Sequence, residues 1–126
     1  MKVNRLLSLC VLASLMIISC SKLSMEYLAD TYWTGTMISS DDTEKPHDLS
    51  FEFDKGKADF TYLPYGEQYP EKGVMLYSLS DGKMTIQSAN AVLDGIWNLT
   101  KEDSKTLRMT KTMENTTLTI RLDKRR

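Results

Sequence analysis

From Thr31 to the end of the chain, apolar and polar residues alternate with a period of two, and this alternation is what most constrains the fold. The segment 49–53, for example, places one Leu and two Phe on one face and Ser and Glu on the other. Successive side chains of a β-strand point to opposite faces of its sheet, so the pattern predicts strands with one buried and one solvated face. Tight hairpins are predicted where polar, glycine-containing segments separate the runs, at 54–57 and 80–83.

About eight short strands follow from this pattern, joined mainly by short connections that make consecutive strands antiparallel neighbours. We predict an all-β fold, a small antiparallel up-and-down barrel with a short N-terminal helix, because closure of the sheet removes its exposed edges. A β-sandwich is the alternative. Strands of about six residues would make the barrel only about 15 Å tall. The segment 74–79 is apolar on both faces, which leaves open which of its residues point inward.

The positions that the alternation places inside the barrel carry no charged side chain. Most of them are large, so we expect a filled or nearly filled interior. Methionines can adapt to irregular apolar ligands, although they more often serve as plain core. If the barrel holds a small apolar ligand, six residues are its candidate walls: Trp33, Met37, Phe51, Phe60, Met84 and Trp97.

The first twenty residues have the order of a secretory signal peptide. Lys2 and Arg5 precede an apolar run, 6–18, that is too short for a helix crossing about 30 Å of hydrocarbon. The run ends in Ile17-Ile18-Ser19-Cys20, which resembles the lipobox of bacterial lipoproteins. That resemblance implies that residues 1–19 are removed and that Cys20 carries the lipid. Residues 20–27 would then form a short tether, and residues 28–126 would form the barrel domain.

Charge and cysteine content narrow the possible partners. The chain has a net charge of −1, and removing two cations with residues 1–19 leaves −1 − 2, or about −3. Nothing in this balance favours nucleic acid, whose binding needs a clustered basic surface. Cys10 lies in the removed segment and Cys20 would be acylated, so no thiol remains for a disulfide. The exported domain must therefore be held together by its core.

Several segments resemble the small lipocalin-like lipoproteins of the Bacteroidetes. They are a short helix and the segments Tyr32–Thr36, Leu49–Gly56, Gly95–Leu99 and Thr106–Met109. The resemblance implies a barrel in the cell envelope that is attached to the outer membrane through the lipid on the N-terminal cysteine. Surface-exported lipoproteins of this group tend to carry acids just after that cysteine, whereas the first acid here is Glu26. A periplasm-facing domain is therefore favoured over one on the cell surface.

No group of residues points to catalysis, to a metal or to a cofactor. General acid–base chemistry needs a titratable group in a partly desolvated cleft, and the predicted interior has none. His47, the single histidine, lies in the acidic segment 41–48, which we interpret as a solvated loop. One histidine cannot form a zinc site, and the segment lacks the glycine-punctuated spacing of a calcium loop. We therefore expect no enzymatic activity, no catalytic residue, no metal and no cofactor.

The connection 63–73 is rich in tyrosine and proline. Tyr65 and Tyr69 offer broad contact area with a polar tip, and prolines limit the entropy lost on binding, so this loop can form a recognition rim. The simpler interpretation is that both tyrosines plug the end of the barrel. Two functions follow: binding of another protein or a glycan through the loops, and carriage of a small apolar ligand inside. We favour the first, with Tyr65 and Tyr69 as the contact surface.

Overall fold

The computed structural model describes residues 24–126, which form an all-β fold with one short helix, α1, at Met25–Leu28. The predicted signal peptide and Cys20 lie outside the described residues. Eight strands follow the helix: β1 (Thr31–Ser39), β2 (Asp42–Asp54), β3 (Lys57–Leu63), β4 (Glu71–Ser80), β5 (Lys83–Gln87), β6 (Gly95–Asp103), β7 (Thr106–Met113) and β8 (Thr116–Lys124).

Each strand pairs antiparallel with the next, and β8 pairs with β1, so the sheet closes into a barrel. The predicted up-and-down barrel is confirmed, and the alternative of a sandwich is excluded by the β1–β8 ladder. Because strand direction alternates, the connections fall into two groups. The helix end of the barrel carries α1, the C-terminus and the β2–β3, β4–β5 and β6–β7 turns. The loop end carries the other four connections.

All strands except β5 are longer than the predicted length of about six residues. The segment 41–48, interpreted as a loop, belongs to β2 from Asp42 onward, with His47 opposite Met37 and Asp42 opposite Ser39. The register shifts between these two pairs, and the shift includes Pro46, which has no N–H to give to a ladder. The prediction counted only alternating apolar residues, whereas polar residues also continue a hydrogen-bonded ladder. Nine residues of β1 make the barrel about 23 Å tall at the usual strand tilt, rather than about 15 Å.

Large apolar side chains fill the barrel. The large apolar residues that alternation places inside on β1, β2, β5 and β8 are all buried. Met75 and Tyr77 point inward on β4 while Val74 and Leu76 are exposed, which settles the inward face of that strand. Among the described residues no charged side chain is buried.

Leu28 closes the helix end of the barrel and is 0% exposed. The Ser24 side chain accepts a hydrogen bond from the backbone N–H of Tyr27 at 3.1 Å, so Ser24 is the N-cap of the helix. The Thr31 hydroxyl donates to the Leu28 carbonyl and accepts from Trp33 Nε1 at 2.8 Å. A chain of hydrogen bonds therefore ties the short helix to a core tryptophan.

Leu93, in the β5–β6 connection, closes the loop end and is also 0% exposed. Its carbonyl accepts from Trp97 Nε1 at 2.8 Å, and its backbone N–H donates to Asn90 Oδ1 at 3.0 Å. Lys111 Nζ donates to the Val92 carbonyl at 2.6 Å and lies 4.7 Å from the centroid of the Trp97 ring. Partial burial of the Lys111 side chain lowers its pKa. This connection is fixed by buried polar contacts as well as by packing.

Candidate functional site

The six predicted walls of an internal ligand site all lie in one apolar core. Trp33, Phe51, Met84 and Trp97 are 0% exposed, and all six belong to the same buried cluster as Leu28 and Leu93. The two tryptophan N–H groups already have partners inside the protein. Two grooves lined by described residues lie on the outer face of the barrel, and two others lie at its helix end. The other two candidate walls, Met37 and Phe60, belong to the same cluster. The described interior is therefore packed with side chains.

Tyr65 and Tyr69, on the β3–β4 loop, point into solvent. Their exposed fractions are 55% and 84%, so the expectation that they plug the barrel is wrong. The reason is that Leu93 of the neighbouring connection already occupies the loop end of the barrel. Unlike the six candidate wall residues, which are buried in the core, the two tyrosines are thus accessible to a partner.

The β3–β4 loop, residues 64–70, which we call the tyrosine loop, is held at its base by His47. The backbone N–H of Tyr65 donates to His47 Nδ1 at 2.9 Å, and the imidazole stacks on Tyr62 with 5.8 Å between ring centroids. A second hydrogen bond, from the Glu67 N–H to the Pro64 carbonyl at 3.1 Å, closes a turn within the loop. Burial raises the pKa of Tyr62. The interpretation of His47 as a solvated loop residue is therefore wrong, since it lies on β2 and supports the loop.

A groove of about 560 Å³, which we call the outer groove, crosses the outer face of β8, β1, β2 and β3. This volume is in the range of small-molecule sites, about 300–1,000 Å³. Its floor is made of small hydroxyl side chains on three neighbouring strands: Thr34, Thr36, Ser50 and Thr61. Longer side chains form the walls: Arg121, Asp123 and Arg125 on β8 or directly after it, and Asp48, Leu63 and Pro70 on the other side.

The strand register explains this arrangement. One row across the strands pairs Asp123 with Thr34, and a parallel row pairs Arg121 with Thr36. Ser50 and Asp48 continue the two rows on β2. The first row continues in the short side chain of Thr61, whereas the second ends in the longer side chains of Arg121 and Leu63, and this difference leaves a depression in the outer surface.

Gly35 allows the β8 backbone to come unusually close at this point. A Cβ on Gly35 would lie 1.8 Å from the Arg121 carbonyl oxygen and 3.0 Å from the Cα of Leu122. Only a residue without a side chain fits such an approach. The glycine lies beneath the outer groove and lines it.

Charged groups on the groove wall keep hydrogen-bonding capacity for a ligand. Arg125 Nε donates to Thr34 Oγ1 at 2.7 Å, and no carboxylate of residues 24–126 lies within 4.0 Å of its guanidinium. Arg121 reaches Glu102 only at 3.8 Å, and its side chain is 65% exposed. Two guanidinium groups and the carboxylates of Asp48 and Asp123 thus border the same groove.

The outer groove was not predicted from the sequence. Its signal was present as small hydroxyl residues on the outward phase of three consecutive strands. That signal becomes readable only once the register brings these residues level and β8 closes against β1.

In the range 24–126, no helix has the length and apolar character needed to span a membrane. No group of three His, Cys, Asp or Glu side chains in that range is placed to hold a metal ion. Comparison with protein-family models, with curated protein sequences and with solved structures finds no match.

Proposed function

We propose that this chain is a non-catalytic lipoprotein, attached to the outer membrane through Cys20 and facing the periplasm, that binds another protein or a glycan through its loops. The observation that carries the proposal is the exposure of Tyr65 and Tyr69 on a loop anchored to β2 through His47. Tyrosine gives a large contact area at low entropic cost, and a pre-ordered loop loses little freedom on binding. These properties make this loop better suited to recognition than an arbitrary surface loop.

The arrangement of the two barrel ends supports this proposal. Cys20 precedes Ser24 by four residues, so a lipid on it would lie within about 14 Å of the helix end. The tyrosine loop is at the opposite end and would project away from the bilayer. Near the helix end, Lys101 and Lys124 lie 4.4 and 5.4 Å from the centroid of the Tyr27 ring. Cations close to the anchor favour an anionic lipid surface.

The alternative of a small apolar ligand inside the barrel has no comparable support. Such a ligand would have to displace Leu28 or Leu93 at a barrel end, and then separate core side chains that are fully buried. Close packing of this kind makes insertion costly. We therefore propose the loop surface, and not the interior, as the binding surface.

Substitution of Cys20 by alanine is expected to move the protein from the membrane fraction to the soluble periplasmic fraction. The substitution removes the thiol to which the lipid would be attached, while the core of the barrel is untouched. Fractionation and palmitate labelling measure the result, and Cys10→Ala is the matched control that should leave both unchanged. A Cys20→Ala protein that stays in the membrane and still takes up palmitate would refute the lipobox assignment.

The double substitution Tyr65→Ala and Tyr69→Ala is expected to weaken partner binding by about thirtyfold or more, since an aromatic contact residue commonly contributes about 2 kcal/mol. Val74→Ala with Ile96→Ala is the matched control, because both side chains are exposed apolar groups on the barrel wall. Crosslinking in native envelopes and binding to an array of envelope glycans measure the effect. If every ligand bound by the parent protein binds the tyrosine variant equally well, this surface is not the contact.

A further inference from the structure

We propose that the outer groove is a binding site for an oligosaccharide chain without net charge, an inference that rests on the proposed binding function and names its ligand class. The first support is the hydroxyl floor of Thr34, Thr36, Ser50 and Thr61. Each hydroxyl can donate one hydrogen bond and accept others, as the hydroxyls of a sugar also do. Neighbouring strands are about 4.8 Å apart, which is close to the length of one pyranose residue in an extended chain. Successive sugars can thus meet successive strands.

The charges on the walls fit a neutral, hydroxyl-rich ligand. Arg121 and Arg125 provide donors, while the carboxylates of Asp48 and Asp123 provide acceptors. Two positive and two negative groups cancel, so the groove has no net attraction for a polyanion or a polycation. Hydrogen bonds to ionised groups are stronger than bonds between neutral groups. The charged wall side chains can therefore form hydrogen bonds with those sugar hydroxyls that do not contact the floor.

Apolar contacts are available where the groove meets the tyrosine loop. Leu63 and Pro70 line the groove and flank this loop, so they offer apolar surface to the C–H face of a sugar ring. Pro70 belongs to both the groove lining and this loop, and Tyr69, which directly precedes it, is 84% exposed. The outer groove and the tyrosine loop therefore form a continuous surface, on which one chain could occupy both parts.

An extended peptide is the less suitable occupant. Peptides often bind by adding a strand to the open edge of a sheet. Each of the eight described strands is paired on both sides, so the barrel provides no such edge next to the groove. A peptide would have to rely on side-chain contacts alone, whereas a saccharide uses side-chain hydrogen bonds as its main means of recognition.

The test compares two equivalent substitutions on the outer surface. Ser50→Trp fills the floor of the groove, and Ser78→Trp places the same side chain on the outward face of β4, outside the groove. The intact lipoprotein, purified in detergent, is titrated with neutral oligosaccharides selected from a glycan array. We expect Ser50→Trp to weaken binding by about tenfold or more, because it displaces several hydrogen bonds, and Ser78→Trp to leave it unchanged.

A milder variant keeps the test valid if Ser50→Trp folds poorly. Arg125→Gln removes a groove cation, and Arg108→Gln is its control, since Arg108 pairs with Glu102 at 3.4 Å outside the groove lining. Only the first is expected to weaken binding. Parent protein that binds no neutral oligosaccharide would overturn the inference, as would binding that is insensitive to both groove variants.

Two outcomes separate this inference from the proposed function. Loss of a partner in the Tyr65→Ala, Tyr69→Ala protein but not in Ser50→Trp would overturn the groove site and leave loop recognition standing. A partner that is a protein and is lost in Ser50→Trp would overturn the saccharide assignment alone. Loss of one and the same oligosaccharide in both variants is the result that the continuous surface predicts.

Discussion

Replacement of Gly35 by alanine is expected to destabilise the barrel by about 3 kcal/mol or more. The added Cβ would lie 1.8 Å from the carbonyl oxygen of Arg121 and 2.8 Å from its carbonyl carbon. Both atoms belong to the backbone, so no side-chain rotation can relieve the clash. Gly35 pairs with Leu122 in the ladder that closes the barrel. Relief would therefore require β8 to move away from β1, at the cost of hydrogen bonds and core packing.

Urea unfolding of the parent and variant proteins measures this effect, with Gly66→Ala as the control. Gly66 has a positive φ of 83°, and a Cβ built on it meets no atom within 4 Å. Its substitution should cost only the left-handed backbone penalty, about 1–2 kcal/mol. A Gly35→Ala protein that is no less stable than Gly66→Ala would mean that β8 does not approach β1 as closely as described.

Gly35 also marks the limit of what the sequence could predict. Alternation of polar and apolar residues predicted the barrel and its buried residues because side-chain direction in a strand is a local property. The approach of β8 to Gly35 joins parts of the chain more than 80 positions apart, and no local pattern encodes it. The outer groove depends on that same contact and on the register of β2 and β3. The outer groove can therefore be recognised only when the closure of the sheet is known.

The ends of the barrel show a second limit. The tyrosine-rich composition of the β3–β4 loop made Tyr65 and Tyr69 the expected plug, yet Leu93 of the next loop fills that position. Leu93 is placed by Asn90, whose side-chain oxygen accepts from its backbone N–H. Composition indicates which residues can bury surface. Which loop places a side chain in the loop end of the barrel depends on specific hydrogen bonds such as this one. The two tyrosines are left exposed to solvent.

Substitution of Trp97 by alanine is expected to cost about 4 kcal/mol of the free energy of unfolding, within the range for removal of a buried aromatic ring. Trp97 is 0% exposed, lies opposite Met84 across the β5–β6 ladder, and holds Leu93 through its ring N–H. A loss of this size is a large part of the roughly 5–15 kcal/mol that stabilises a typical domain. We also expect Leu93 and its loop to loosen, since the carbonyl loses its partner and Lys111 loses the ring beneath it.

Trp97→Phe separates packing from the hydrogen bond. It keeps most of the ring in the core but removes the N–H that reaches the Leu93 carbonyl, so its cost should be smaller, about 1–3 kcal/mol. Unfolding of both variants can be followed by the fluorescence of Trp33, the other tryptophan of the chain. Hydrogen exchange at the Leu93 N–H then reports on the loop, and it should speed up in both variants. If Trp97→Ala unfolded no more easily than Trp97→Phe, the ring would not be filling the barrel, and space for an internal ligand would have to be reconsidered.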